Sequence, residues 1–227
     1  MSGPAPRLLA TWGSPRPRGV VLLLHGGSDA SHLPASRWGV AALRMLPIAL
    51  ATVRAARGRV HVLRLVYGVR GWNGAEQSAV VDARWALAEL RRRHPGLPVA
   101  VVGHSMGGRA ALHVADDPSV AVVVGLAPWI TPTEPARLLA GQRVVLVHGT
   151  RDRTTSPEAS AELVRDAKGV AAAATLVRAA GQGHTLLGRG DAAGTLAARL
   201  AVAVLVGGRS TPLVAQVLRG SYPVLDL

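Results

Sequence analysis

Residues 99–108 read Val-Ala-Val-Val-Gly-His-Ser-Met-Gly-Gly, a short apolar run that leads directly into a Gly-x-Ser-x-Gly turn. The apolar run is typical of a buried strand, and the Ala-rich residues that follow are typical of a helix. Side chains at Gly103 and Gly107 would collide with the neighbouring strand and helix, so glycine at both positions lets Ser105 occupy a sharp strand-to-helix turn. The alternative is an ordinary Gly-rich turn. The context favours an exposed, nucleophilic serine at the end of a strand.

The rest of the chain repeats this alternation of short apolar runs with longer segments of helical periodicity. Such an order is typical of βαβ units and predicts an α/β fold, with a mostly parallel central sheet and helices on both faces. Val20–Leu24 is apolar throughout, as expected of a central strand. We predict strands at 20–24, 59–67, 99–102, 120–124, 144–147 and 175–177, a short edge strand near Ala10, and helices at 36–57 (interrupted at Pro47), 76–93, 106–115, 157–168 and 191–206.

Length and composition indicate one domain. The chain has 227 residues, 49% of them apolar, and a mean hydropathy of +0.27, which is enough material for one α/β core. We expect this domain to span residues 1–210 and a C-terminal extension of uncertain structure to follow at 211–227. The absence of cysteine excludes disulfides and thiol chemistry.

Nothing in the sequence indicates export or a membrane anchor. Residues 1–6 lack the charged and apolar regions of a signal peptide. The apolar run 196–206 contains Arg199 and is too short to span a bilayer. We therefore expect a cytoplasmic protein without a membrane partner, and we leave its oligomeric state open.

The formal net charge of +13 raises the question of a nucleic-acid partner. The charge is scattered, and almost all of it is arginine, since Lys168 is the only lysine. No zinc-ligand spacing or RNA-binding signature accompanies it. A solvated basic surface is the favoured interpretation, so we expect no nucleic-acid partner, no metal and no cofactor.

With these motifs, the chain resembles the α/β-hydrolase superfamily over residues 20–206, and in particular its small lidless members, similar to dienelactone hydrolases and bacterial carboxylesterases. The resemblance implies an oxyanion hole in the segment Leu-Leu-Leu-His-Gly-Gly-Ser at 22–28. Its two backbone N–H donors would be Gly27 and Met106. His25 would then be structural.

The same resemblance implies a catalytic base and acid, which follow the serine in the order acid, then histidine. His184 lies in a Gly-rich loop between the last predicted strand and the last predicted helix, where the superfamily keeps its catalytic histidine. Asp152 lies after the strand at 144–147, where the superfamily keeps its acid. Asp116 and Asp117 are the alternatives for the acid, and their position after the nucleophile helix suits surface turn residues better.

The substrate side has no room for a cap domain, because only residues 125–143 separate two predicted strands. We predict a shallow cleft with Trp129 on one rim and Tyr67 and Trp72 on the other. Each tryptophan could equally be a packing residue. Arg70 could bind a substrate carboxylate or be solvated.

Together these features predict a serine hydrolase that cleaves a small ester or thioester through an acyl-enzyme. Hydrolysis of a C–C or peptide bond by the same three residues is one alternative. A non-catalytic binding protein with this fold is another. The group of dienelactone hydrolases with a cysteine nucleophile is less favoured, since this chain has no cysteine.

Overall fold

The computed structural model describes residues 4–131, 134, 136–188, 191–207, 210–220 and 224–227, and within these ranges eight strands form one sheet. The helices pack on its two faces. The strands are β1 (Arg7–Trp12), β2 (Val20–Leu24), β3 (His61–Val66), β4 (Val99–His104), β5 (Val120–Leu126), β6 (Arg143–Gly149), β7 (Ala173–Ala179) and β8 (Val224–Asp226). The helices are α1 (Val40–Leu43), α2 (Met45–Ala56), α3 (Ser78–Arg93), α4 (Met106–His113), α5 (Pro157–Asp166), α6 (Ala192–Val206) and α7 (Pro212–Arg219).

The sheet has the strand order β1-β3-β2-β4-β5-β6-β7-β8, in which only β1 is antiparallel to its neighbour. This confirms the predicted α/β class with a mostly parallel sheet. The central strands β2 and β4 are buried at every position, which explains their continuous apolar sequence. Their parallel register pairs Leu24 with Gly103, so the loops that follow both strands meet at the same edge of the sheet.

Each face of the sheet is covered by its own apolar layer. Leu87 of α3, Ala110 of α4 and Leu163 of α5 belong to one core cluster. Ile48 of α2 and Leu200 of α6 belong to the cluster on the other face. Small residues such as alanine and valine fill both layers, and they allow helices to pack closely on the strands.

The predicted helix 36–57 is interrupted at a different residue from the one expected. The break lies at Arg44, between α1 and α2, and not at Pro47. Pro47 occupies the first turn of α2, where its missing N–H costs no hydrogen bond because first-turn N–H groups have no acceptor within the helix.

The C-terminal segment from 211 onward extends both the core and the sheet. Val214 and Val217 of α7 are buried, and the Thr175 hydroxyl donates to the Val217 carbonyl at 3.1 Å. Strand β8 pairs in parallel with β7. Since β5, β6 and β7 lie between β4 and β8, this segment adds to the far edge of the sheet, away from the turn at Ser105.

Among the helices within the described ranges, none has the length and apolar character needed to cross a membrane.

Candidate active site

Ser105 lies at the turn between β4 and α4, with φ of 55° and ψ of −120°. This left-handed φ is rare for a residue with a side chain and is held by close backbone packing on both sides. A Cβ added to Gly103 would lie 2.1 Å from the Gly107 carbonyl oxygen, and one added to Gly107 would lie 2.4 Å from the Leu24 oxygen. Both glycines of the motif are therefore needed for the turn to close.

The structure brings Ser105, His184 and Asp152 together from the loops after β4, β7 and β6. The Ser105 hydroxyl donates to His184 Nε2 at 3.0 Å, and His184 Nδ1 donates to Asp152 Oδ2 at 2.9 Å. A serine, an imidazole and a carboxylate in this sequence of hydrogen bonds can move a proton off the hydroxyl and stabilise the resulting imidazolium.

The Asp152 carboxylate is buried but well supplied with donors. Its Oδ1 accepts from the backbone N–H groups of Thr154 at 2.8 Å and Thr155 at 3.1 Å, and its Oδ2 also accepts from the Thr155 hydroxyl at 2.9 Å. Burial alone would raise the pKa of Asp152. Hydrogen bonds from His184 and from Thr154 and Thr155 outweigh that effect and lower the pKa to about 2, so the acid stays ionised.

His148 is a further residue of this site, and the sequence interpretation missed it because it precedes the acid in the chain. Its Nε2 lies 3.1 Å from Asp152 Oδ2, and its Nδ1 lies 2.7 Å from the Ser160 hydroxyl. Burial lowers the pKa of His148, so a neutral ring can donate from Nε2 while accepting from Ser160. Its place at the carboxyl end of β6, four residues before Asp152, is the signal that could have found it. In the described part of the chain no group of His, Cys, Asp and Glu forms a metal site.

Two buried side chains hold the loop that carries His184. His104 Nε2 donates to the His184 carbonyl at 3.0 Å, and Arg44 Nε donates to the Thr185 carbonyl at 2.8 Å. Burial lowers the pKa of His104 to about 4, so this ring is neutral at physiological pH. The break between α1 and α2 thus places Arg44 where it fixes the backbone beside the base.

The loop at 25–28 lies against the Ser105 turn. A Cβ added to Gly26 would lie 3.3 Å from Ser105 Cβ, and one added to Gly27 would lie 2.3 Å from the Arg70 oxygen. Within the described residues, the Gly27 N–H donates to no protein acceptor. Met106 is the first residue of α4, so its N–H has no acceptor within the helix. Both predicted donors are thus available next to Ser105.

Two of the three predicted substrate residues are buried. Tyr67 is 1% exposed and packs edge-on against His25, and Trp72 is 3% exposed. Trp129 is partly exposed, and its backbone N–H donates to the Ser105 carbonyl at 3.1 Å. The Arg109 guanidinium stacks over both indoles, 4.1 Å and 4.8 Å from their centroids, which draws them into one cluster. Tyr67 and Trp72 are thus buried and pack against other side chains, and a role for them in binding substrate stays a prediction.

A cleft lies between the 25–28 loop, whose Gly26 packs against Ser105, and the segment 35–42; Ser105 itself is not among its lining residues. The cleft has a volume of about 290 Å³. Arg70 is exposed at its rim, where Nε donates to the Pro34 carbonyl at 3.0 Å. The walls are apolar or small and include Gly27, Ala35, Val40, Ala41 and Ala42.

Comparisons with known proteins agree with this fold. Residues 57–144 match the family model described as serine aminopeptidase, S33, which is less than half of the chain. The chain has no significant match among curated protein sequences.

Several solved structures are similar over most of their length. An α/β serine hydrolase homologue from Coxiella burnetii is 18% identical, with a TM-score of 0.62 over 86% of this chain and 89% of that one. A serine hydrolase without a lid from Xanthomonas campestris is 17% identical, with a TM-score of 0.61 over 90% and 91%. An esterase domain from Rhodothermus marinus is 16% identical, with a TM-score of 0.62 over 88% and 99%.

The sheet order, the turn at Ser105 and the similarity to these structures show an α/β-hydrolase fold. Only residues 127–142 connect β5 to β6, which is too short for a cap domain. The chain therefore has the fold of the α/β-hydrolases, without a cap domain between β5 and β6, as the sequence motifs predicted.

The buried histidines make the stability of the fold depend on pH. Burial lowers the folded-state pKa values of His25, His104 and His148 below 6.5, so the unfolded chain binds more protons as the pH falls from about 6.5 to about 4. We expect the free energy of unfolding to decrease as the pH falls over this range. His104→Gln should reduce the slope of the free energy of unfolding against pH by up to about 1.4 kcal/mol per pH unit. Urea unfolding at several pH values measures this. A wild-type slope in His104→Gln would contradict the expectation.

Proposed function

We propose that this protein is a serine hydrolase that cleaves small esters or thioesters through an acyl-enzyme at Ser105. The observation that carries the proposal is the unbroken hydrogen-bonded chain from Ser105 through His184 to Asp152, at 3.0 Å and 2.9 Å. Within the described residues, the backbone N–H groups of Gly27 and Met106, in the loop and the helix next to Ser105, donate to no protein acceptor. The set supplies a nucleophile, a base, an acid and donors for an oxyanion.

In the acylation step, Ser105 Oγ attacks the carbonyl carbon of the ester while its proton passes to His184 Nε2. The carbonyl oxygen becomes an oxyanion that accepts hydrogen bonds from the Gly27 and Met106 N–H groups. The C–O or C–S bond to the leaving group then breaks, and His184 returns the proton to the departing alcohol or thiol. An acyl ester on Ser105 remains.

In the deacylation step, water attacks this acyl ester, and His184 Nε2 accepts the proton of the water. Breakdown of the second oxyanion releases the carboxylic acid, and the proton on His184 returns to Ser105 Oγ. Asp152 remains ionised in both steps. It fixes the tautomer that carries its proton on Nδ1 and stabilises the imidazolium.

The cleft favours a small substrate. Its volume of about 290 Å³ lies just below the usual range of about 300–1,000 Å³ for sites that hold drug-sized ligands. Its lining contains Ser28 and Ser36 as hydroxyl groups and Arg70 as a cation. A cleft of this size and lining suits an acyl group of a few carbons. The acyl group could also carry a carboxylate, which would pair with Arg70.

A peptidase is the second candidate, because the matched family model is described as serine aminopeptidase. An aminopeptidase has to bind the positively charged amino terminus of its substrate. The described residues that line the cleft include no carboxylate, and Arg70 would repel an ammonium group. The charges at this site therefore favour an ester over a peptide with a free amino terminus.

The nucleophile is tested by Ser105→Ala, which should reduce kcat for p-nitrophenyl acetate by about 10⁶-fold with the fold intact. A fluorophosphonate probe should label the wild-type protein at Ser105 and leave this variant unlabelled. Ser36→Ala removes a hydroxyl of the cleft that is not the proposed nucleophile, so this variant should still be labelled. A Ser105→Ala protein within tenfold of wild-type activity would reject the proposed mechanism. A wild-type protein with no labelling and no turnover would favour a binding protein.

The acid is tested by Asp152→Asn, which should lower kcat by about 10⁴-fold because the amide favours the wrong tautomer of His184. Asp116 is exposed and ion-paired with Arg84 at 3.0 Å, so Asp116→Asn is the control and should leave kcat unchanged. Steady-state kinetics with circular dichroism as a check on folding would measure both. A larger loss in the Asp116 variant would assign the acid to the loop after α4.

The size of the cleft is tested with p-nitrophenyl esters of increasing acyl length. We expect kcat/KM to be highest for acetyl to butyryl esters and to fall at longer lengths, because a methylene stabilises binding by about 0.8 kcal/mol only when it is fully buried. Ala41→Leu fills the cleft and should move the optimum toward acetyl, whereas Ala140→Leu, at an exposed position, should not. A steady rise of kcat/KM to decanoyl esters would contradict the small cleft.

A further inference from the structure

A larger cleft lies on the face of the sheet covered by α2, α6 and α7. Its volume is about 480 Å³, well within the range of small-molecule sites. The cleft has an apolar floor to which Ala51 and Ala55 of α2, Val202 of α6 and Val214 of α7 contribute. It is not continuous with the site at Ser105, because Arg59 at its rim precedes the amino end of β3, whereas Ser105 follows the carboxyl end of β4.

Four arginines surround this cleft. Arg54 is in the last turn of α2, Arg57 and Arg59 lie in the connection from α2 to β3, and Arg199 projects from α6. All four are exposed. The Arg59 Nε donates to the Ala56 carbonyl at 3.2 Å. Thr195 and Ser210 add hydroxyl groups to the lining.

Among the described residues, no carboxylate pairs with any of these four arginines. Residues 30–75 and 192–225 contain no aspartate and no glutamate, so the segments that form α2, α6 and α7 are entirely free of acid. Within the described residues, none of the four arginines forms an ion pair, whereas Arg84, Arg91, Arg109 and Arg178 all do. The cleft therefore concentrates positive charge in a concave surface that the protein leaves without a counter-charge.

Such a surface is suited to a phosphate-bearing ligand. Positive charges around a concave wall of low dielectric strengthen one another's field and attract an anion. Arginine binds phosphate oxygens with two parallel hydrogen bonds, and several guanidinium groups can share a chain of phosphates. The apolar floor of alanine and valine offers contact to a flat, uncharged group at the same time.

We propose that this cleft is a second binding site, separate from Ser105, for a small molecule that carries two or more phosphate groups and an apolar or aromatic part. A nucleoside diphosphate has this chemistry. The concave shape and the apolar floor favour such a molecule over the backbone of a nucleic acid, which requires an extended charged surface.

The test is isothermal titration calorimetry of the full chain with ADP. The wild-type protein should bind one ADP, and Arg54→Ala with Arg199→Ala should weaken binding by at least about tenfold, because each guanidinium makes charge-assisted hydrogen bonds to phosphate. Arg7→Ala with Arg137→Ala is the matched control. It removes the same charge from exposed positions outside the cleft and should bind ADP within about threefold of wild type.

Further measurements separate ADP binding at this cleft from the proposed enzymatic function and from binding of a nucleic acid. Ser105→Ala should bind ADP like the wild type, and the Arg54/Arg199 variant should keep its ester hydrolysis, so this result does not depend on the proposed enzymatic function. Adenosine should bind far more weakly than ADP. The proposal is overturned by an absence of saturable ADP binding or by an equal loss in both double variants. It is also overturned if a 20-base-pair DNA duplex binds the wild-type protein and ADP does not displace it.

Discussion

The close approach of backbone at Gly103 and Gly107 is the constraint on which the site depends. It allows β4 to turn directly into α4 with Ser105 at a φ of 55°. The turn is tied on the sheet side, where the Ser105 N–H donates to the Leu126 carbonyl at 2.9 Å. A central strand buried on both faces cannot shift to relieve this strain, so the hydroxyl is fixed in space. The loops after β2, β6 and β7 bring Gly26, Asp152 and His184 around this fixed hydroxyl.

The second organising feature is the buried Asp152 carboxylate. A buried charge is costly unless it is paired and hydrogen-bonded, and here the side chains of His184, His148 and Thr155 all reach the same Oδ2. The environment that keeps the acid ionised also keeps the surrounding imidazoles His104 and His148 neutral, because burial lowers their pKa values. One buried pocket thus contains an ionised carboxylate beside two neutral histidines.

The charge of the molecule is distributed more unevenly than its composition suggests. Arginines of α3 and α4 have carboxylate partners, including Glu89 and Glu134, whereas α2, α6 and α7 have none in their own sequence. The net charge of +13 is therefore partly concentrated on one helical face. The scattered arginines of the sequence become a local feature only when the helices that carry them pack side by side.

The sequence by itself determined the α/β class, most strands within two residues at either end, the turn at Ser105 and the candidates Asp152 and His184. These depend on short-range patterns: apolar runs, glycines at fixed offsets and the order of elements along the chain. Only the tertiary structure decided that Tyr67 and Trp72 are buried, that His148 reaches the acid, and that Arg44 holds the His184 loop. Burial and hydrogen-bond partners depend on contacts between residues far apart in the chain, such as Arg44 and Thr185, and no local pattern encodes which side of a loop the rest of the protein will cover.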